Sequence, residues 1–249
     1  MNDGLLKAGS RPSTDAARSR SRLVVLLSGG LDSATVAAWG LRQGWQVTAL
    51  SIDYRQRHRI ELDAARAVAS HLGIDDHVII PLDPAAFRGS ALVDSTIPVP
   101  RDRADEDLAR DIPTTYVPAR NTVFLALALA LAESRGADAI ALGVNAIDYS
   151  GYPDCRPEFI DAFRRLATLG TKAGVEGRPI GILAPLVEMS KEEIVRLAID
   201  LGLDTSLTSS CYDPAADGGP CGHCDSCRLR AAGFAAADAI DRRATPLRA

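Results

Sequence analysis

A doubly wound parallel α/β sheet followed by a small cysteine-bound C-terminal segment is the fold class that this 249-residue sequence predicts. Three observations carry the prediction. Short apolar runs suited to buried parallel strands alternate with amphipathic stretches suited to helices. A Gly-Gly turn joins the first such run to the first helix. Four of the five cysteines fall in one stretch near the C-terminus.

The first strand is the run Leu23-Val24-Val25-Leu26-Leu27, apolar on both faces as burial within a parallel sheet requires. Ser28-Gly29-Gly30-Leu31-Asp32-Ser33 then forms a strand-to-helix turn, and the helix-like stretch Ala34 to Arg42 stops before Gly44. Gln46 to Ile52 reads as a second strand, Arg59 to Leu72 as an amphipathic helix stopped by Gly73, and His77 to Ile80 as a third strand. Pro81 to Pro118 is rich in Pro, Asp and Arg without periodicity, which predicts a long loop, free of regular elements, lying as a lid over a site at the strand ends. The pattern resumes with helix Thr122 to Ser134, strand Ala137 to Leu142, a loop through Pro157, helix Glu158 to Leu169 and strand Ile180 to Leu183. Ser190 opens a further helix, with Glu193 completing a capping box and Gly202 ending it.

This organisation divides the chain into a tail over residues 1–22, an α/β domain over 23–207 and a cysteine knuckle with a helical stretch (Asp225 to Ile240) over 208–249. The tail is basic and Ser-rich but lacks an apolar core segment, so a disordered tail is expected in place of a secretory signal, with a cytoplasmic location. No apolar run reaches the roughly 18 residues of a membrane span. A net charge of −4 argues against broad salt-driven binding to nucleic acid, so no stable nucleic-acid partner is expected.

The chemistry starts at the Gly-Gly turn. Two glycines after a strand let backbone approach a ligand, and the orphan N–H groups of a helix start point at any bound anion. Ser28 and Ser33 offer hydroxyls, and Asp32 suits a magnesium ion on phosphates. The competing reading is an ordinary tight turn with Asp32 or Ser33 as a helix cap. There is no G-x-x-x-x-G-K-[ST] and no G-x-G-x-x-G after a strand-like run, which sets aside the two better-known phosphate loops. The string resembles the signature of the N-type ATP pyrophosphatases, which split ATP to AMP and pyrophosphate while adenylylating an oxygen of a second substrate.

Cys211, Cys221, Cys224 and Cys227 offer four soft ligands to one tetrahedral centre. Zinc is the favoured occupant and an iron–sulfur cluster the competitor. No proline follows the last cysteine, and Gly218, Gly219 and Gly222 build a knuckle leading into a helix. Four thiolates would make a closed, structural site. His223 is expected to face solvent or support the ligands, and Cys155 to be a buried small residue in place of a nucleophile.

Taken together, Asp53-Tyr54-Arg55-Gln56-Arg57-His58, Val117-Pro118-Ala119-Arg120-Asn121, Asp148-Tyr149-Ser150-Gly151-Tyr152-Pro153-Asp154-Cys155-Arg156 and Ser210-Cys211-Tyr212 with Cys221-Gly222-His223-Cys224 resemble the 7-cyano-7-deazaguanine synthase family, in family order from about Leu23 to Asp238. The resemblance implies an adenine nucleotide alpha hydrolase-like fold and an ATP-dependent conversion of 7-carboxy-7-deazaguanine and ammonia to the nitrile, a precursor of queuosine. ATP, magnesium and zinc are the implied cofactors. No glutaminase-sized domain is visible, so free ammonia is the expected nitrogen donor, and a homodimer is the expected assembly.

Under that resemblance Leu27, Ser28, Gly29, Gly30, Leu31, Asp32, Ser33, Ala34, Thr35, Val36 and Ala37 would hold the ATP phosphates, and Gly143 would let the backbone pass close to adenine or substrate. Asp32, Ser33, Arg57, His58 and Arg120 are the catalytic candidates, the guanidinium forks suiting phosphate or carboxylate. Tyr54, Asn121, Asp148, Tyr149, Tyr152, Asp154 and Arg156 are the substrate-binding candidates. The family usually has glycine where this chain has Arg55 and Ala119, so a positive φ at either would strain the backbone by roughly 1 kcal/mol. A tRNA-modifying adenylyltransferase, such as a thiolase or lysidine synthetase, would use the same loop but predicts a large basic surface or an RNA-binding domain. A zinc-knuckle nucleic-acid binder leaves the phosphate loop unexplained.

Overall fold

The computed structural model describes residues 21–56, 60–103, 112–147 and 152–243. Within these residues the strands are β1 (Arg22–Leu26), β2 (Gln46–Asp53), β3 (His77–Pro81), β4 (Ala139–Ala141) and β5 (Gly181–Leu183). The helices are α1 (Leu31–Arg42), α2 (Ile60–His71), α3 (Arg120–Arg135), α4 (Pro157–Gly170), α5 (Lys172–Val175), α6 (Lys191–Asp200) and α7 (Asp225–Ala236). All strand pairs are parallel, in the order β3-β2-β1-β4-β5.

The central strand explains why both faces are covered. Pleating sends Leu23 and Val25 to one face, with Val47, Ala49, Ala139 and Ala141, where α1, α2, α6 and α7 pack. It sends Val24 to the other, with Leu50, Ile140 and Ile182, beneath α3 and α4. Leu23, Val24 and Val25 are wholly buried, and each such side chain stabilises the fold by about 1.5–3 kcal/mol. The order of strands reverses between β1 and β4, so a crevice opens beyond their carboxyl ends, where ligands bind in sheets of this kind.

The expected elements are present with shifted ends. β4 covers only Ala139–Ala141, although Asp138 N–H still donates to Arg22 O at 2.9 Å and Leu142 N–H to Leu183 O at 3.1 Å, so the ladder runs on past the regular strand. The last helix ends at Ala236, before Ile240, and the chain reverses through Asp238 at φ 53°. Among its described residues the loop from Pro81 to Pro118 contains a regular element that its sequence pattern did not predict, a 3₁₀ turn at Pro84–Phe87. Asp83 accepts from Ala85 N–H to start it, and Phe87 anchors it against Tyr54 and Phe124. One turn of four residues is too short to leave a periodic signature. Residues 1–20 of the expected tail, and residues 244–249, lie outside the described residues. Among the described residues no helix is long and apolar enough to cross a membrane.

Both positions where glycine was expected are left-handed. Arg55 has φ 54° and Ala119 φ 52°. Arg55 N–H donates to Asp53 Oδ1 at 3.0 Å, and Ala119 N–H donates to Tyr116 Oη at 3.0 Å while Ala119 starts α3. These bonds hold a conformation that a Cβ disfavours by about 1–2 kcal/mol. Ala119→Gly is therefore expected to stabilise the chain by about 1 kcal/mol after the extra unfolded-state entropy of glycine, raising the melting temperature by about 2–4 °C. A calorimetric scan showing an unchanged or lower melting temperature would contradict the strain.

Candidate active site

The turn after β1 is shaped by close packing as much as by its own sequence. Gly29 has φ 89°, and a Cβ on it would stand 2.2 Å from Glu61 O in α2, so only glycine fits there. Gly30 occupies the N-cap position of α1 and supplies no side-chain cap. Ser33 does not cap either: its hydroxyl donates to Gly30 O at 3.0 Å, accepts from Ser28 N–H at 3.2 Å and meets Ser28 Oγ at 3.0 Å. Leu31, Asp32 and Ser33 line the crevice, so the start of α1 borders it with the positive end of the helix dipole. From across the crevice Gly143, just past β4, presses against this helix start. A Cβ there would lie 2.9 Å from the Ser33 nitrogen and from the Asp32 carbonyl carbon.

The C-terminal segment ties the same turn from a third side. Ser209 N–H donates to Gly29 O at 2.8 Å, and Ser210 Oγ accepts from Leu31 N–H at 3.5 Å. Arg230, buried beneath, donates to Thr208 Oγ1 at 2.7 Å, Ser210 Oγ at 3.4 Å, Thr205 O at 3.0 Å and both carboxylate oxygens of Asp241.

A cavity of about 210 Å³ opens between these pieces. Leu26, Leu50, Ile52 and Leu142 give it apolar lining, alongside polar side chains such as Asp32, Asn121 and Lys191. Of the residues the sequence singled out, Leu27, Ser28, Gly30, Leu31, Asp32, Ser33, Tyr54, Arg120, Asn121, Gly143 and Tyr152 line it. Ala34, Thr35, Val36 and Ala37 do not. They are wholly buried one turn further along α1, where Thr35 Oγ1 donates to Leu31 O at 2.8 Å. Asp154 also turns away, its carboxylate accepting from Asn121 N–H at 3.0 Å to cap α3, and Asn121 Nδ2 donates to Asp154 O at 3.0 Å. Arg156 is exposed at the start of α4, away from the cavity wall. Arg57, His58, Asp148 and Tyr149 lie outside the described residues.

Sequence reasoning missed Lys191, at the first turn of α6. Its ammonium donates to both carboxylate oxygens of Asp32, at 2.9 and 2.8 Å, and both side chains are largely buried. The Ser190 capping box that fixes this helix start was legible; a partner 159 residues away was not. Also missed were Gln56, Glu61 and Tyr212, which line the cavity.

The four cysteine sulfurs lie within 4.8 Å of one another, against edges of ~3.8 Å for a tetrahedron with metal–sulfur bonds of ~2.3 Å. Backbone amides already serve them: Cys221 N–H donates to Cys211 Sγ at 3.2 Å, Cys224 N–H to Cys221 Sγ at 3.3 Å and Tyr212 N–H to Cys224 Sγ at 3.5 Å. Donors aimed at sulfur favour thiolates, so the donor set fits a soft divalent ion. His223 stays outside, exposed, with Nδ1 3.1 Å from Asp102 Oδ1.

A family model described as "Queuosine biosynthesis protein QueC" matches residues 22–238, a span that takes in every site described above. This chain belongs to the QueC family. It is 59% identical over 218 residues to a 7-cyano-7-deazaguanine synthase of Kineococcus radiotolerans, covering 88% of this chain and 95% of the relative. It is 57% identical over 223 residues to the synthase of that name from Ectopseudomonas mendocina, covering 90% and 97%.

Burial displaces several titratable groups of this QueC-family site, Cys155 and Glu61 among them. The Cys155 thiol, buried and next to Asp154, is pushed up to about 12, so it stays protonated and is no nucleophile at neutral pH. Burial raises the Glu61 carboxyl to about 7, with Arg120 and a hydrogen bond from Gln56 opposing the rise. Between the ordinary carboxylate range and about 7 the folded chain binds a proton at Glu61 that the unfolded chain has released, so stability falls as pH rises through that window. Glu61→Gln removes the dependence. Denaturant titrations from pH 4.5 to 7.5 are expected to show the wild type losing stability relative to the variant as pH increases, and a pH-independent difference would refute the assignment.

Proposed function

We propose that this chain joins the carboxylate of 7-carboxy-7-deazaguanine to ammonia and dehydrates the amide, using ATP to activate oxygen twice. The observation that carries the reading is the family match, with relatives named 7-cyano-7-deazaguanine synthase at 56–59% identity across about nine-tenths of the chain. The synthesis of 7-cyano-7-deazaguanine for queuosine follows from that membership; the nucleotide chemistry and residue roles are the proposal.

A carboxylate is a poor electrophile because oxide leaves badly. Its oxygen attacks the α-phosphorus of ATP, expelling pyrophosphate and giving an acyl adenylate. Ammonia adds to the carbonyl carbon, AMP leaves with the original oxygen, and a proton is lost. The amide oxygen then attacks the α-phosphorus of a second ATP, expelling a second pyrophosphate, and loss of AMP with the amide oxygen and of the two remaining N–H protons closes the nitrile. The protein's part is to align reactants, balance charge and exclude water.

The uncapped amides of α1, with Ser28 and Ser33, suit the phosphates. Lys191 brings a cation to the same place. Each oxygen of Asp32 keeps a free lone pair beside its bond to Lys191, so Asp32 fits a magnesium ion as one ligand, and such an ion would neutralise phosphate charge. Arg120, with Tyr54, Tyr152 and Tyr212 around it, suits the substrate carboxylate. Arg57, His58, Asp148 and Tyr149 stay as candidates from the resemblance. Cys211, Cys221, Cys224 and Cys227 would hold zinc as a closed structural site, stapling 208–249 to the α/β body at Ser209 and Ser210. A cytoplasmic enzyme using free ammonia is consistent with this scheme.

Pure protein incubated with 7-carboxy-7-deazaguanine, ammonium, magnesium and ATP is expected to yield the nitrile and AMP by mass spectrometry; ADP as nucleotide product, or no nitrile, would refute the reading. Ser33→Ala removes the hydroxyl that ties Gly30 O to Ser28 N–H across the turn, and is expected to lower kcat/KM for ATP roughly 10²-fold, as misplacement of reacting groups does. Stripping metal with a chelator is expected to release one zinc per chain and lower the melting temperature. Intact stability after complete zinc loss would remove its structural role.

A further inference from the structure

Two residues that the nucleotide chemistry does not use stand side by side in the cavity. Gln56 is only 9% exposed, and its Oε1 is buried with no hydrogen-bond partner among the described residues. In its ionised form Glu61 only accepts, so the Gln56 amide nitrogen is then the donor between the two side chains, and Oε1 keeps the open lone pairs. Both residues line the cavity. A buried carbonyl without a partner is costly in a water-poor pocket unless a ligand brings a donor. Gln56 Oε1 and the ionised Glu61 carboxylate make an acceptor–acceptor pair on the cavity wall.

The reaction uses two purine-like molecules, and their edges differ. Adenine shows a donor beside an acceptor, its exocyclic amine and ring N1. A guanine-type ring shows two donors, its ring N–H and 2-amino group. Only the second satisfies two adjacent acceptors. We propose that Gln56 and Glu61 form the subsite that reads the ring N–H and 2-amino edge of the deazapurine and rejects adenine from that place. This rests on the function proposed above and assigns its specificity. The Arg120 guanidinium, which also lines the cavity, is then left to meet the substrate carboxylate. The elevated proton affinity of Glu61 agrees with a carboxyl that still lacks donors.

The test uses the full chain and two probes, 7-cyano-7-deazaguanine and its counterpart without the 2-amino group, titrated calorimetrically. Wild type is expected to prefer the 2-amino compound by about 100-fold or more, because a site built for a donor rejects a ligand lacking it. Gln56→Leu and Glu61→Gln are each expected to cut that preference to under about 10-fold and to raise KM for 7-carboxy-7-deazaguanine about 10- to 100-fold, with KM for ATP within about threefold of wild type. Glu61→Gln keeps the side chain's shape but exchanges one acceptor oxygen for a donor nitrogen, so it decides the matter if the leucine variant folds poorly. Variants that keep the wild-type preference while wild type still makes nitrile would overturn this subsite and leave the proposed function standing. A wild type that makes no nitrile would overturn both.

Discussion

The first turn of α1 has to be held in place without a cap from its own N-cap residue, Gly30, and the rest of the site depends on how that is done. A side-chain cap would satisfy the helix-start amides and close them to any ligand. The chain orients them from outside instead: the Ser28–Ser33 pair bridges the turn from below, Gly143 presses on it from β4, and Ser209 and Ser210 bind it from the C-terminal segment. Arg230 then fixes the segment itself, with all three guanidinium nitrogens engaged. The cysteine knuckle takes its meaning from this arrangement. It is remote from the Gly29-Gly30 turn in sequence but joined to it through three consecutive residues, Ser209, Ser210 and Cys211.

Local strain accumulates at the same edge of the sheet. Arg55 follows β2 and Ala119 starts α3, and both take a left-handed backbone without being glycine. Each stands beside a cavity-lining side chain, Tyr54 or Gln56 in one case and Arg120 in the other. Such residues persist where their surroundings over-determine them, as the bonds to Asp53 and Tyr116 do here.

Much of this was legible in the sequence, for identifiable reasons. Apolar runs such as Leu23 to Leu27 announce a doubly covered strand because no exposed face would tolerate them. The cysteine spacing announces a cluster because four thiols so close have few other uses. What stayed hidden is tertiary pairing between short polar residues. Asn121 and Asp154 look like substrate contacts in the string, yet Asp154 caps α3. Ala34 to Ala37 look continuous with the phosphate turn, yet helical rotation buries them after a single turn. Lys191 looks like an ordinary residue of a capped helix until folding brings it to Asp32.

The Asp32–Lys191 pair also changes how the site can be dissected. Two opposite charges sheltered from water neutralise each other, and deleting either strands its mate, a penalty of about 3–5 kcal/mol for a fully buried pair and less for this partly open one. Alanine at either position therefore unsettles the architecture as well as the chemistry, and a drop in turnover would mix the two. Only a matched neutral replacement of both side chains separates what the pair does for folding from what each member does for a bound triphosphate.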